Sequence, residues 1–334
     1  MKKVRFGIIG FGAFAERAIM PAIRAASNAE LTAIQKRSAQ AAQQKAHEYG
    51  IPFSFDSVEA LVASPEVDAV FIVSSNARHH AETLAAAAAG KHILVEKPMA
   101  VSVRQAMEMS DAVRRAGVKL MVGHMLRFSP LILRMKEIVS SGMIGRITYA
   151  QSHFIYDVRN SQRSWVLDQK EAGAGPLFDI GIHCLDTMRF ILADDHVTDL
   201  RSMMDRDPST GSVETTNVLS VQFSRGTLGT IYTSYETPYR QGYIEFFGTE
   251  GSISAFNFTP SRVEAVLEIK RGERGLVSSV TTERFTVPDL YVLEVERFSE
   301  SILTGSAPPV PLESSLHNQE ILELAVMEAQ KKRF

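Results

Sequence analysis

The chain has 334 residues, 45% of them hydrophobic and 22% charged, with a net charge of -2. That is the length of two domains and the composition of a soluble globular protein; the near-neutral balance gives no basis for binding nucleic acid or an anionic membrane, and no apolar run reaches membrane-spanning length. The single cysteine, Cys184, excludes an internal disulfide framework and fits a reducing cytoplasm, and the start leads straight into a strand with no signal peptide.

Residues 4–9 read as a short buried strand, followed by Gly10-Phe11-Gly12-Ala13-Phe14-Ala15 and a helix to about residue 23. This is G-x-G-x-x-A between strand and helix. The first glycine permits the tight turn and the second lets the backbone approach a pyrophosphate. The alanine allows close helix–strand packing, and the helix start offers free N–H groups to phosphate. Gly10, Phe11, Gly12, Ala13 and Phe14 are therefore expected at a dinucleotide. The next strand, 31–35, runs into Gln35-Lys36-Arg37-Ser38, without the acid that binds a ribose 2′-hydroxyl in NAD enzymes. Two cations and a hydroxyl suit a 2′-phosphate, so Lys36, Arg37 and Ser38 predict NADP(H) over NAD(H).

Helices and strands keep alternating. A helix at 38–49 breaks at Gly50-Ile51-Pro52 and is followed by a strand at 53–55. Asp56-Ser57-Val58-Glu59 resembles a capping box opening a helix to about 64. Then come a buried strand at 67–73, an alanine-rich helix at 77–90, a strand at 93–95, a helix capped by Ser102 that ends near Gly117, and a strand at 119–123. This order means a doubly wound parallel sheet, so residues 1–123 are expected to form an NADP-binding Rossmann domain. Ligands of such sheets bind beyond the carboxyl ends of the strands. Those ends carry Ser74, Ser75 and Asn76, then Glu96 and Lys97, then Arg127, with His79 at a helix start; all are expected along the cofactor crevice. In Val95-Glu96-Lys97-Pro98 the proline stops strand pairing, leaving Lys97 at the strand end, and the Lys97–Pro98 bond is expected to be cis.

From residue 124 the pattern changes. Ser129-Pro130 starts a helix to about 140, with Ser129 expected as its cap. A long alternating strand at 147–156 follows, then candidate strands at 197–204, 215–223, 226–235, 242–247, 252–256, 263–270 and 280–287. Consecutive strands without crossover helices imply a largely antiparallel sheet. With closing helices at 290–303 and 313–330, residues 124–334 read as an α+β domain for substrate binding and oligomerisation. The fold class is thus an α/β Rossmann domain followed by an α+β domain with a large, mostly antiparallel open sheet. Within the second domain, Gly173-Ala174-Gly175-Pro176 leads into an apolar helix that carries Asp179 and His183, i and i+4 on one face, with Asp186 near the same stripe. Three readings stand side by side: a buried structural pair, a metal site that lacks a third ligand, and an acid–base pair of an active site.

Taken together, the GFGAFA, VEKP and AGAGPLFDIGIHCLD stretches, with smaller echoes at Gly248-Thr249-Glu250-Gly251 and Pro308-Pro309-Val310, resemble the Gfo/Idh/MocA family of glucose–fructose oxidoreductase, inositol 2-dehydrogenase and their relatives. The resemblance covers nearly the whole chain. It implies that Lys97 and His183 lie beside the nicotinamide and the substrate, with Asp179 close to substrate hydroxyls. The stretch around Trp165 and the run at 186–190 look most like the 1,5-anhydro-fructose reductase and sugar dehydrogenase branches. The expected activity is a reversible NADP(H)-linked hydride transfer at a secondary alcohol or ketone of a sugar or cyclic polyol. Lys97 is the expected proton donor or acceptor, assisted by His183 and Asp179, with Asp157 and Trp165 as further substrate contacts and no metal. Two other classes are a non-catalytic NADP-binding sensor, which would not need Lys97 and His183 together, and an NAD-dependent glycoside hydrolase, which the NADP preference disfavours. The protein is expected in the cytoplasm as a homodimer or homotetramer formed through the second sheet, with no nucleic-acid or membrane partner.

Overall fold

A computed structural model describes residues 2–159, 163–260, 262–273 and 275–331. They fall into two compact units, 1–125 with 291–319 and 126–290 with 320–334.

The first unit contains six parallel strands: β1 (Val4–Ile9), β2 (Ala29–Gln35), β3 (Phe53–Phe55), β4 (Ala69–Ile72), β5 (His92–Glu96) and β6 (Leu120–Gly123). Their order is β3-β2-β1-β4-β5-β6. The chain reverses direction of build between β1 and β4, and that switch point is where a doubly wound sheet binds its ligand. β4 and β6 are buried at every position, as apolar runs without alternation require when helices cover both faces. The helices are α1 (Met20–Ala25), α2 (Ala39–Tyr49), α3 (Val58–Ala63), α4 (His79–Ala88) and α5 (Val103–Ala116). Ser38, Ser57 and Ser102 cap α2, α3 and α5, each accepting a backbone N–H at 3.3 Å. A π-helical turn, Ala15–Ile19, precedes α1, so the helix after the glycine turn starts wide.

The second unit contains α6 (Pro130–Ser140), β7 (Ile147–Asp157), α7 (Gln169–Ala172) and α8 (Ile182–Ile191), followed by β8 (Val197–Asp205), β9 (Thr216–Phe223), β10 (Leu228–Ser234), β11 (Glu236–Gly248), β12 (Gly251–Phe256), β13 (Val263–Glu273) and β14 (Leu276–Val287). The sheet order is β14-β13-β12-β11-β7-β10-β9-β8, antiparallel except for the β7–β10 pair. All eight expected strands are present. α8 lies against the inner face: a Cβ on Gly229 of β10 would stand 3.0 Å from the Met188 sulfur, so that glycine admits the helix. α6 is held to β14 by an Arg134–Glu283 pair at 2.8 Å. Ser129 precedes α6 without a side-chain cap, contrary to expectation; Pro130 alone marks the start, as its fixed φ allows.

Two helices close the chain, α9 (Leu290–Thr304) and α10 (Leu312–Ala329). From residue 291 to 319 they pack with the first unit. Phe298 meets Phe6 of β1 with ring centroids 6.5 Å apart, and Glu296 accepts from the Ser27 amide and hydroxyl at 2.9 and 2.8 Å. A single cut at residue 123 misses this return, because the contacts that decide it span about the whole chain. Among the described residues no helix is long and apolar enough to cross a membrane.

Candidate active site

The glycine turn follows β1. Gly10 has φ 81°, and a Cβ there would meet the Ser74 backbone at 2.9 Å, so only glycine fits both the conformation and the close approach of the turn to the end of β4. Gln35, buried at the end of β2, accepts the Gly10 amide at 3.2 Å through its side chain and the Phe11 amide at 3.0 Å through its carbonyl. Gly12 and Ala13 are exposed, and a Cβ on Gly12 would meet nothing nearer than 3.9 Å, which leaves the turn open to a phosphate. Phe11 is 1% exposed, so its backbone alone is available to a ligand. Phe14 packs edge-on against Tyr291 at 5.7 Å. The Lys36 ammonium sits on this turn, 2.6 Å from the Phe11 carbonyl oxygen; Arg37 is exposed, and Ser38 spends its oxygen on the cap of α2.

At the end of β4, Ser74 donates to Glu82 Oε2 at 2.5 Å, and Asn76 is buried. Burial raises the Glu82 carboxyl, which makes it the stronger acceptor for that hydroxyl. His79 is fully buried, so it is neither a surface cap nor open to a cofactor. Its Nδ1 lies 2.9 Å from the Pro98 carbonyl and its Nε2 3.3 Å from that of Ser74. A neutral imidazole has one N–H, and the shorter contact assigns it to Nδ1. Burial holds the ring at a pKa of about 4, so it stays neutral and ties α4 to the loop after β5. The Lys97–Pro98 peptide in that loop is cis, as expected. Glu96 is 8% exposed; its Oε2 accepts the Lys97 amide at 3.2 Å, so the carboxyl turns back into its own unit.

In the second unit the centre is Asp179, on a π-helical turn (Leu177–Gly181) that runs into α8. Arg163 binds it through both nitrogens, at 3.0 and 2.9 Å, while the Tyr156 and Tyr235 hydroxyls donate to Oδ2 at 2.9 and 3.2 Å. The two phenols pack edge to face at 5.3 Å, and burial together with the Asp179 charge raises both well above the ordinary tyrosine range. Three of these bonds fall on Oδ2 and one on Oδ1, and together they fix the carboxylate in one orientation. Asp179 is thus a held anion suited to orienting a hydroxyl, and poorly suited to exchanging a proton with His183. His183 is half-buried, its ring 6.2 Å from that of Phe154. Trp165 is half-buried with the Arg163 guanidinium 6.0 Å from its ring, and Asp157 is engaged by Arg159 at 2.8 Å.

Arg127 is displaced from its expected role. It is 4% exposed and bonded to Asp186 at 2.6 Å and to Asp194 at 2.9 Å, with the Phe190 ring 5.1 Å away. It belongs to a buried ion cluster of the second unit, and Asp186 serves that cluster rather than the Asp179 stripe. Cys184 is core, its thiol pushed up to about 12 by burial. Tyr156, Arg163 and Tyr235 escaped the reading of the sequence. Tyr156 does share the inward parity of Ser152 and Phe154 on β7, and a phenol on a buried face needs an acceptor. Arg163 carries no comparable signal.

Two family profiles match the chain: the oxidoreductase family with an NAD-binding Rossmann fold (GFO_IDH_MocA) over residues 4–124, and the GFO/IDH/MocA C-terminal domain over 132–254. A 1,5-anhydro-D-fructose reductase of Ensifer adhaerens is 34% identical over 80% of this chain and 80% of its own length. A D-xylose 1-dehydrogenase (NADP(+)) of Haloferax volcanii is 32% identical over 93% of each chain. Among solved structures, the aldose-aldose oxidoreductase of Caulobacter crescentus complexed with glycerol superposes with a TM-score of 0.86, at 25% identity and 98% coverage of both chains.

Proposed function

The chain belongs to the Gfo/Idh/MocA oxidoreductase family, and from that premise we propose that it is an NADP(H)-linked sugar or polyol oxidoreductase with Lys97 as its proton donor. The observation that carries the reading is the position of Lys97, directly after the last residue of β5, in the sheet whose β1–β4 switch point holds the open glycine turn. In the reductive direction, a dihydronicotinamide bound at the glycine turn would supply a hydride to the carbonyl carbon of a keto-sugar. The carbonyl π pair moves onto oxygen, and the Lys97 ammonium gives its proton to that oxygen, leaving a secondary alcohol, oxidised cofactor and a neutral amine. Oxidation runs the same steps backwards. The cofactor supplies the hydride chemistry; the protein supplies position and charge. His183 assists the proton transfer, and Asp179, fixed by Arg163 and the two tyrosines, orients substrate hydroxyls.

Three features support NADP(H) as the cofactor. No acid follows β2, Lys36 and Arg37 stand there instead, and the Lys36 ammonium is already on the glycine turn. A relative named for NADP(+) points the same way. A homo-oligomer formed through the open face of the second sheet completes the reading.

The experiment is NADPH consumption with 1,5-anhydro-D-fructose and a panel of keto- and aldo-sugars, repeated with Lys97→Ala. General acid catalysis is worth about two to four orders of magnitude, so turnover should fall by that much while NADPH affinity barely changes. Near-normal turnover in the variant would pass the role to His183. Loss of NADPH binding as well would make Lys97 a cofactor anchor. Tight NADPH binding with no turnover of any sugar by the unaltered protein would replace the enzyme with a sensor.

A further inference from the structure

The first unit buries two carboxyl groups side by side at the strand end that carries Lys97. Glu96 closes β5 and stands opposite Gly123 of β6 in the ladder. Glu294 reaches the same place from α9: a Cβ on Gly123 would lie 3.6 Å from each of its oxygens, so the missing side chain makes room for that carboxyl. Glu294 is 0% exposed, and neither oxygen meets a hydrogen-bond donor among the described residues. The charged group that bears on it is Glu96. The other charges nearby on α9 are occupied elsewhere, Glu296 with Ser27 and Arg297 with Glu300. Lys97 follows Glu96 and gives it its backbone amide.

Two ionised carboxylates cannot share such a place; one must keep its proton. Glu96 accepts the Lys97 amide whereas Glu294 is wholly buried without a donor among the described residues, which makes Glu294 the holder; burial first, and the Glu96 charge second, push its carboxyl up in the same sense. A protonated acid beside a carboxylate is also a donor, and a hydrogen bond to an ionised acceptor is charge-assisted.

We propose that Glu294 is a positioning residue for Lys97: it carries a proton that it donates to the Glu96 carboxylate, so that the pair holds one negative charge and Glu96 is fixed against the Lys97 amide. The consequence for Lys97 rests on the reading of Lys97 as proton donor; the shared proton itself does not.

Infrared spectroscopy of the intact protein at pH 7, without substrate or cofactor, tests the proton. The C=O stretch of a protonated carboxylic acid should be present and should vanish in Glu294→Gln. Absence of that band, or its survival in Glu294→Gln, overturns the proposal. Hydrogen exchange at the Lys97 amide tests the positioning. Glu294→Leu removes the donor and should speed exchange about tenfold, whereas Glu294→Gln keeps an N–H donor and should stay near the unaltered rate. Equal exchange in the two variants would make Glu294 a space-filler and overturn the positioning role. Neither measurement uses turnover, so a failed assay for sugar reduction leaves both outcomes readable.

Discussion

The proposed preference for NADP(H) turns on Lys36. Its ammonium rests on the glycine turn, and its neighbour Arg37 is exposed. Two charge-assisted contacts to a 2′-phosphate at ~1.5–3 kcal/mol each would favour NADP(H) by roughly ten- to thousand-fold. Lys36→Asp should reverse that order, since an acid repels the phosphate and binds the free ribose hydroxyls. Fluorescence titration of both cofactors checks it, and equal affinity of the unaltered protein for the two would end the argument. Arg127 gives the converse test. Replacing it by methionine leaves Asp186, 2% exposed, as a buried charge with its principal partner gone, at a cost of about 3–5 kcal/mol. NADPH affinity of the protein that remains folded should be unchanged; a large loss would restore Arg127 to the cofactor. The placement of Gly10, Lys36 and Lys97 at the ends of strands was legible because strand, turn and helix around them are adjacent in sequence. Arg127 was not, because its partner lies 59 positions away and nothing local announces it. Glu294 is likewise visible only after α9 is seen to pack with the first unit.

Elements were easier to read than their ends. The alternation of apolar runs and helical segments identified every strand, since burial on one face or two leaves its own period. The Asp179–His183 helix was also legible from its Pro176 start and i, i+4 spacing, but the tyrosines that hold Asp179 come from β7 and from the end of β10, which a local pattern cannot join. α4 shows how one side chain couples elements to pH. Burial holds the folded-state pKa of His79 at about 4 against an ordinary value of 6.5, so the folded state refuses a proton that the unfolded state accepts. Its contribution is complete above about 6.5 and is lost as pH falls toward 4. At pH 5 the loss is about 2 kcal/mol relative to pH 7. Glu294 acts in the opposite sense: its pKa is raised above 4.5, so its contribution is present below that value and is lost as pH rises toward the folded pKa. The His79 effect is therefore the difference in pH slope between the unaltered protein and His79→Gln, measured by denaturant unfolding from pH 5 to 7. Parallel slopes would show that the imidazole is not held neutral.

For the whole molecule the proposed self-assembly turns on the open face of the second sheet. On that face Tyr149 meets Phe247 at 5.9 Å, His153 stacks on Tyr243 at 5.5 Å, and Tyr243 meets Phe256 at 4.5 Å. Leu228 and Phe256 are more than half exposed, and Tyr232 and Val266 add to the apolar area. Several of its polar groups bond to one another: Gln151 and Tyr243 both donate to Glu245, at 2.8 and 2.5 Å, and Lys270 pairs with Glu268 at 2.6 Å. An aromatic surface whose charged groups are paired on it loses less on burial than one with unpaired charges, whereas leaving its apolar area wet is unfavourable. A second copy is the simplest cover, because a two-fold axis lets one face meet itself and each residue contributes twice. A stable contact needs roughly 800 Å² from each partner, which a sheet of this width can supply. Phe256→Glu would then place two charges in one dry interface for a single substitution. Light scattering at micromolar concentration should report a dimer or a larger even assembly for the unaltered protein and a shift toward monomer for Phe256→Glu. A monomeric unaltered protein would refute the self-pairing, and an oligomer indifferent to Phe256→Glu would move the interface to another surface.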